Sequence, residues 1–405
     1  MARSTVTPRL GLLTFGHFTI DSYSSFFSPL LPLLVQKLDL SLTLVGTLVA
    51  LSSVTSSFSQ PLFGLLSDRL RRPWFVAFGP LVAAVFMSAI GLAPHFAALA
   101  ALLMMAGLGV AAFHPQAAAL ASTVSPKRGM AMAFFVTGGT IGFSVGPLFA
   151  VGTVQAFGLE RTWLAAIPGV IVSGLLLAWF ARVTPRARHE MKRVPLRALR
   201  PVLRPLSLLY LATVSRSAVS YGFMTFLPLY LTGRGYSLSQ SGGVVSLYLL
   251  LGALGGFLGG WLSDRVGGRL VILASFIGAA PLYFASLLLP DRTGIPCLIL
   301  GSFVLQSSLP VNVVLGQELS PDHSSTIASL LMGAAWGVGA LIIGPVGALA
   351  DREGIRSALL ALSTLLVGGL VCAALLPRTR GGMDGDAAGG DRVVGAPGSE
   401  TAVGS

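Results

Sequence analysis

Long apolar runs, separated by short polar breaks, follow one another almost to the end of the chain. Each run is near the roughly 20 residues that a helix needs to cross the hydrocarbon of a bilayer. They predict spanning helices near 10–36, 43–67, 74–93, 96–120, 130–157, 161–181, 206–232, 239–263, 270–290, 293–318, 324–350 and 354–376. One junction recurs. Gln60-Pro61-Leu62-Phe63-Gly64-Leu65-Leu66-Ser67-Asp68-Arg69 runs from an apolar span into a charged hinge, and Gly260-Trp261-Leu262-Ser263-Asp264-Arg265 repeats its end. Ser41, Leu42, Gly46, Gly64, Leu66, Ser67, Asp68 and Arg69 return as Ser237, Leu238, Gly242, Gly260, Leu262, Ser263, Asp264 and Arg265, all at one offset. Identity held over a whole span and its charged exit predicts a duplicated chain. The expected divisions are a six-helix bundle at 1–181, a basic linker at 182–205, a second six-helix bundle at 206–380 and a disordered tail at 381–405.

Composition agrees with a lipid solvent. The chain is 54% hydrophobic and only 10% charged, with a mean hydropathy of +0.81, whereas a soluble domain is about a quarter charged. The first apolar run is too long for a signal-peptide core and is interrupted by His17, Asp21, Pro29 and Pro32, so it is expected to stay as the first span. Of the 27 Lys and Arg, 20 collect in breaks on one side, six on the other, and Arg216 lies within a span. That asymmetry predicts both termini in the cytoplasm and a multi-pass protein of the plasma membrane. It also turns a net charge of +12 into topology rather than a nucleic-acid groove. Cys297 and Cys372 sit in apolar runs without metal-like spacing, so neither a disulfide framework nor a metal site is expected.

Ionisable side chains inside a span are costly and mark function. His17 and Asp21 are four residues apart, hence on one helix face about 6 Å apart along the axis, and together could hold and release a proton. His114 lies deep in the fourth span before Pro115, which frees a backbone carbonyl and bends the helix. It could bind substrate or join a proton relay, or simply be a satisfied interhelical histidine. Arg216 cannot practically lose its proton. Facing a cavity it would attract an anionic group, or a carboxylate such as Asp21. Asp68 with Arg69 and Asp264 with Arg265 end their spans and could latch neighbouring helix ends, with Glu318 as a further gate residue. Gly138, Gly142 and Gly146, and again Gly252, Gly256 and Gly260, recur every fourth residue, a spacing that lets helix backbones approach closely.

Twelve spans in two halves, a basic central loop and Gly-Leu-Leu-Ser-Asp-Arg-Leu-Arg-Arg at 64–72 resemble the major facilitator superfamily over about 10–376. His17-Phe18-Thr19-Ile20-Asp21, Gln60-Pro61 with Phe63-Gly64, and Gly109-Val110-Ala111-Ala112-Phe113-His114-Pro115 are similar to its fosmidomycin-resistance-type branch. Ile20 and Gln116 stand where that branch often has Asn and Glu, and Phe149-Ala150 replace the Gly pair of the exchanger motif that Gly142, Gly146 and Pro147 match.

The resemblance implies an all-α membrane protein, two pseudo-symmetric bundles around a central cavity, and secondary transport by alternating access. It implies Phe113, Gln116, Tyr221 and Trp336 at the binding surface with Arg216 and His114, and Gly142, Gly146 and Pro147 in the gate. The leading expectation is a proton-coupled antiporter, a monomer without cofactor, exporting a drug-like or organic anionic compound. Proton-coupled uptake of a small organic anion or sugar-type solute is the alternative, and a membrane-embedded sensor or enzyme is the second. No nucleophile stands beside His17 and Asp21, which argues against the enzyme.

Overall fold

The computed structural model describes residues 7–70, 72–121, 123–124, 128–180 and 200–377. Among these, twelve helical segments follow one another: α1 (8–38), α2 (Leu42–Ser67), α3 (Trp74–Leu92), α4 (Phe96–Ala121), α5 (Met130–Phe157), α6 (Leu159–Phe180), α7 (Leu203–Gly233), α8 (Leu238–Val266), α9 (Gly268–Leu288), α10 (Asp291–Leu319), α11 (Thr326–Glu353) and α12 (Ile355–Ala374). Ten are long and apolar enough to cross a membrane on their own account. The other two are α1, broken into Pro8–Ser24 and Leu31–Leu38 around Pro29, and α7, which carries Thr213, Ser215, Arg216, Ser217 and Ser220 along its middle. These are the two spans that hold Asp21 and Arg216. The polar groups that weaken them as membrane helices are the ones function would need.

Local chemistry explains where helices start and stop. The recurring Ser41 and Ser237 are N-caps: their hydroxyls accept from the amides of Leu44 and Gln240, and Gln240 closes a capping box onto Ser237. At the other end of the repeat, Gly158 and Gly354 link α5 to α6 and α11 to α12 with φ of 82° and 84°, a conformation that only glycine adopts cheaply. The same device in the same place in both halves is the pseudo-symmetry read at the backbone. The expected linker at 182–205 is shorter than its stated bounds, because α7 already begins at Leu203. Residues 182–199 and the tail 381–405 lie outside the described residues.

An even number of spans puts both chain ends on one face, here the termini face; the opposite one is the far face. At the far face the halves meet. Asp351 at the end of α11 accepts hydrogen bonds from the amides of Leu42 (2.7 Å) and Thr43 (2.9 Å) and from the Thr43 hydroxyl (2.6 Å). The Gln155 amide of α5 donates to the Ser239 hydroxyl of α8, and the Ser28 hydroxyl of α1 donates to the Met224 carbonyl of α7. Toward the termini face they part: Gln60–Arg69 of α2 packs on α4 instead of on α11.

The glycine rows resolve into packing. Gly138, Gly142 and Gly146 of α5 bring its backbone onto Thr14, Phe18 and Ser22 of α1. In α8 the row is not the expected Gly252, Gly256 and Gly260. Gly252, Gly255 and Gly259 face α10 at Ser302, Phe303 and Ser307, while Gly256 and Gly260 have ordinary clearance.

Candidate functional site

Three ionisable side chains from two helices converge in the first half. Asp21 Oδ2 lies 3.2 Å from His17 Nε2, one turn away on α1, and Asp21 Oδ1 lies 3.2 Å from His114 Nε2 on α4. The far nitrogen of each ring is also engaged. His17 Nδ1 is 2.9 Å from the Phe135 carbonyl of α5, and His114 Nδ1 is 2.8 Å from the Val110 carbonyl. A carbonyl oxygen can only accept, so both Nδ1 atoms carry a hydrogen and both Nε2 atoms face the carboxylate.

The walls are apolar. His17 stacks on Phe135 with ring centroids 4.1 Å apart, and Phe113 stands 5.9 Å from His17. Access is graded: the side chains of His17, Asp21 and His114 are 8%, 16% and 27% exposed. Gly139 of α5 makes the cluster possible, because a Cβ there would overlap the His17 ring and the Asp21 carboxylate.

Each Asp–His contact needs a proton between its two atoms, since an ionised carboxylate only accepts and an unprotonated Nε2 does likewise. Both contacts are satisfied when the cluster shares two such protons. With fewer, a lone pair faces a carboxylate oxygen across a partly dry gap, where electrostatic misfits are amplified.

The second half holds a cation. Arg216 of α7 is 1% exposed. Its Nη1 donates to Gln306 Oε1 of α10 at 2.7 Å and its Nη2 to Ser217 Oγ at 3.2 Å, while the guanidinium carbon sits 5.6 Å from the Trp336 ring of α11. Trp336 in turn meets Tyr221 edge-on at 6.2 Å. Among the described residues, Arg216 Nε has no acceptor and no carboxylate pairs with the guanidinium. Burying a charge with so little compensation costs several kcal/mol.

The model of the Major Facilitator Superfamily matches residues 13–342. The chain belongs to that superfamily. Relatives in it include the uncharacterised transporter YfnC of Bacillus subtilis, 29% identical over 384 residues with 92% of this chain and 94% of that one covered. The fosmidomycin resistance protein of Escherichia coli is 28% identical over 365 residues, covering 86% and 87%. In three dimensions the fold matches a bacterial homologue of the human lysosomal transporter Spinster in an inward-facing, occupied conformation, with a TM-score of 0.77 at 18% identity and coverage of 91% and 96%.

For a superfamily member, the placement of the expected residues is selective. His17, Asp21 and His114 come together, as do Arg216, Tyr221 and Trp336. Arg216 and Asp21, considered as partners, are not: the carboxylate is held by the two histidines. Phe113, expected at the binding surface, is fully buried among Val76, Ala83 and Phe135, where its bulk supports the cluster from behind. Gln116 is spent on structure. Its Oε1 accepts from the Val76 amide at 3.1 Å and its Nε2 donates to Ser67 Oγ at 3.0 Å, tying α4 to α3 and α2.

The gate residues divide likewise. Gly142 and Gly146 pack α5 on α1 inside one half, whereas Pro147 presents its carbonyl toward Gly242 of α8 across the interface. Asp264 and Glu318 are exposed, and Arg265 folds back over Trp261 of its own helix, 3.6 Å from the ring centroid. Arg69 is exposed, and the Asp68 side chain lies outside the described residues. In this conformation the halves are joined instead by Asp351, which the sequence reading passed over. The signal was present: Gly347-Ala348-Leu349-Ala350-Asp351-Arg352 is a third Gly-x-Leu-x-Asp-Arg string, at the opposite face from the first two. Gln306 and Gly139 were also missed, because an interior amide and a glycine one residue off a regular row carry no pattern of their own.

Proposed function

We propose that this superfamily member is a proton-coupled antiporter that exports an organic anion by alternating access. The observation that carries the reading is the buried Arg216 guanidinium with no acidic partner among the described residues. Its natural complement is an anion from outside the chain, bound beside Gln306, Trp336 and Tyr221, with the aromatic pair favouring a partly apolar body. The His17–Asp21–His114 cluster supplies the proton side of the cycle: it shares up to two exchangeable protons, and parting α1 from α4 would release them.

Resemblance to a protein named for fosmidomycin resistance favours export. The charge asymmetry supports both termini in the cytoplasm of a plasma-membrane protein, and on that reading the face at which the halves part opens inward. The working unit is a monomer of two bundles, 1–181 and 206–380. A second reading, proton-coupled uptake of the same class of anion, uses both sites and reverses only the direction of flux.

Proteoliposomes with an imposed pH gradient test this. An organic-anion panel should include compounds that move against the proton gradient with the wild type. Arg216→Ala should lose their binding by at least about tenfold, as removing a buried charged partner costs about 2–5 kcal/mol. Asp21→Asn should keep binding but lose gradient-driven flux. Coupled flux undiminished in Asp21→Asn removes the cluster from the mechanism, and anion affinity unchanged in Arg216→Ala removes the clamp.

A further inference from the structure

We propose that His17, Asp21 and His114 also form a binding site for a divalent transition-metal cation of the zinc, cobalt or nickel kind. The ion would be held by the two Nε2 atoms and a carboxylate oxygen, with its remaining coordination open on the partly exposed side of the cluster. This goes beyond the transport reading and does not rest on it.

The donor set is the first argument. Two imidazoles and a carboxylate suit zinc, nickel and cobalt, and three protein ligands leave the open position of a site that exchanges its ion. Spacing is the second. The candidate ligand atoms all lie within 4.8 Å of one another, and each Nε2 is 3.2 Å from a carboxylate oxygen. A tetrahedral ion with bonds of about 2.0–2.2 Å sets its ligand atoms about 3.3–3.6 Å apart, so small side-chain adjustments suffice.

Preorganisation is the third. Each histidine donates its Nδ1–H to a main-chain carbonyl, Phe135 for His17 and Val110 for His114. That outer shell fixes the tautomer whose Nε2 can bind a metal. The His17 ring is further held against Phe135, and Gly139 leaves the ligands their room. The cysteine-based reading of the sequence had no way to anticipate this, because the second histidine comes from another helix. The site fastens α1 to α4 inside one half, so the bound ion would occupy the place of the shared protons without bridging the two halves.

Tag-free, metal-stripped protein in nanodiscs, titrated calorimetrically with Zn2+ and by visible absorption with Co2+, decides the matter. The expected result is one ion per chain, with Co2+ giving the intense ligand-field bands of a low-coordinate nitrogen and oxygen site. His114→Ala and the size-conserving Asp21→Asn should each weaken binding at least about tenfold. His95→Ala and His323→Ala, at histidines outside the cluster, should leave it unchanged. Thermal unfolding of each variant without metal separates lost ligands from lost fold. No uptake by the wild type, or uptake that survives in a folded His114→Ala or Asp21→Asn protein, overturns the proposal.

Discussion

Gly139 shows how a residue without a side chain can govern three that have one. A methyl there meets His17 and Asp21, not a yielding apolar side chain, and overpacking of this kind costs about 1–3 kcal/mol. Gly152, on the same helix, has nothing within 4 Å of a Cβ position. Gly139→Ala is therefore expected to lower thermal stability by about 1–3 kcal/mol and to reduce gradient-driven flux, whereas Gly152→Ala should do neither; equal behaviour of the two would mean that the cluster does not depend on this gap. The contrast marks how far the site was legible in the sequence. His17 and Asp21 announce themselves because four-residue spacing fixes a shared helix face, and any ionisable group in an apolar run stands out. Which partner each would take was not legible. Asp21 had two candidate counter-charges, Arg216 and the histidines, and the choice depends on which helix faces converge. Phe113 and Gln116, expected at the binding surface, show the same limit: their types fit a pocket, but in this conformation both side chains are buried in packing.

The helices that close the far face carry the conformational information. α2 and α11 each contain one π-helical turn, Val54–Phe58 and Ser329–Ala334, a local under-winding that is common at functional sites. Both turns lie on the termini side of the contact between Asp351 and the amino end of α2, where Gly333 still faces the Ser57 carbonyl and Gly337 the Phe58 ring, just before Gln60–Arg69 turns to α4. The contact itself is a helix cap supplied by the other half of the molecule: a carboxylate on the otherwise unpaired amides of Leu42 and Thr43, where the helix dipole favours negative charge. Hydrogen bonds to a charged group contribute about 1.5–3 kcal/mol. Asp351→Ala should then shift the balance between conformations by a factor of about 10–140 toward one with the far face parted. Spin labels at the far-face ends of α2 and α11 would read this as a longer distance population, and an unchanged distribution would make the contact incidental. Element by element, the fold itself was open to reading, since twelve apolar runs, two N-cap serines and a duplicated junction all have local causes. The π-turns were not, because a change in backbone hydrogen-bond register leaves no mark in a hydropathy profile.

At the scale of the whole molecule, the histidine–aspartate cluster and the Arg216 cation occupy different halves. His17, Asp21 and His114 are held by α1, α4 and α5, while Arg216 is held by α7, α10 and α11. No described ion pair joins one site to the other, so the coupling proposed between them would pass through the arrangement of the two bundles. That places unusual weight on the far-face seam, where Gly46 of α2 lies directly against the main chain of Ile343 and Gly344. A branched side chain cannot fit there without pushing a helix backbone aside, and a packed interface responds by switching arrangement rather than by yielding gradually. Gly46→Val is expected to hold the far face apart and to stop transport while leaving each bundle folded. In a background with Cys297 and Cys372 replaced by Ser, a cysteine at Phe58, below the seam, should react with a membrane-impermeant maleimide applied from the far face quickly in Gly46→Val and slowly in its parent. Equal rates, with circular dichroism showing both proteins folded, would mean that the seam is not the barrier and that the two halves exchange information by some other contact.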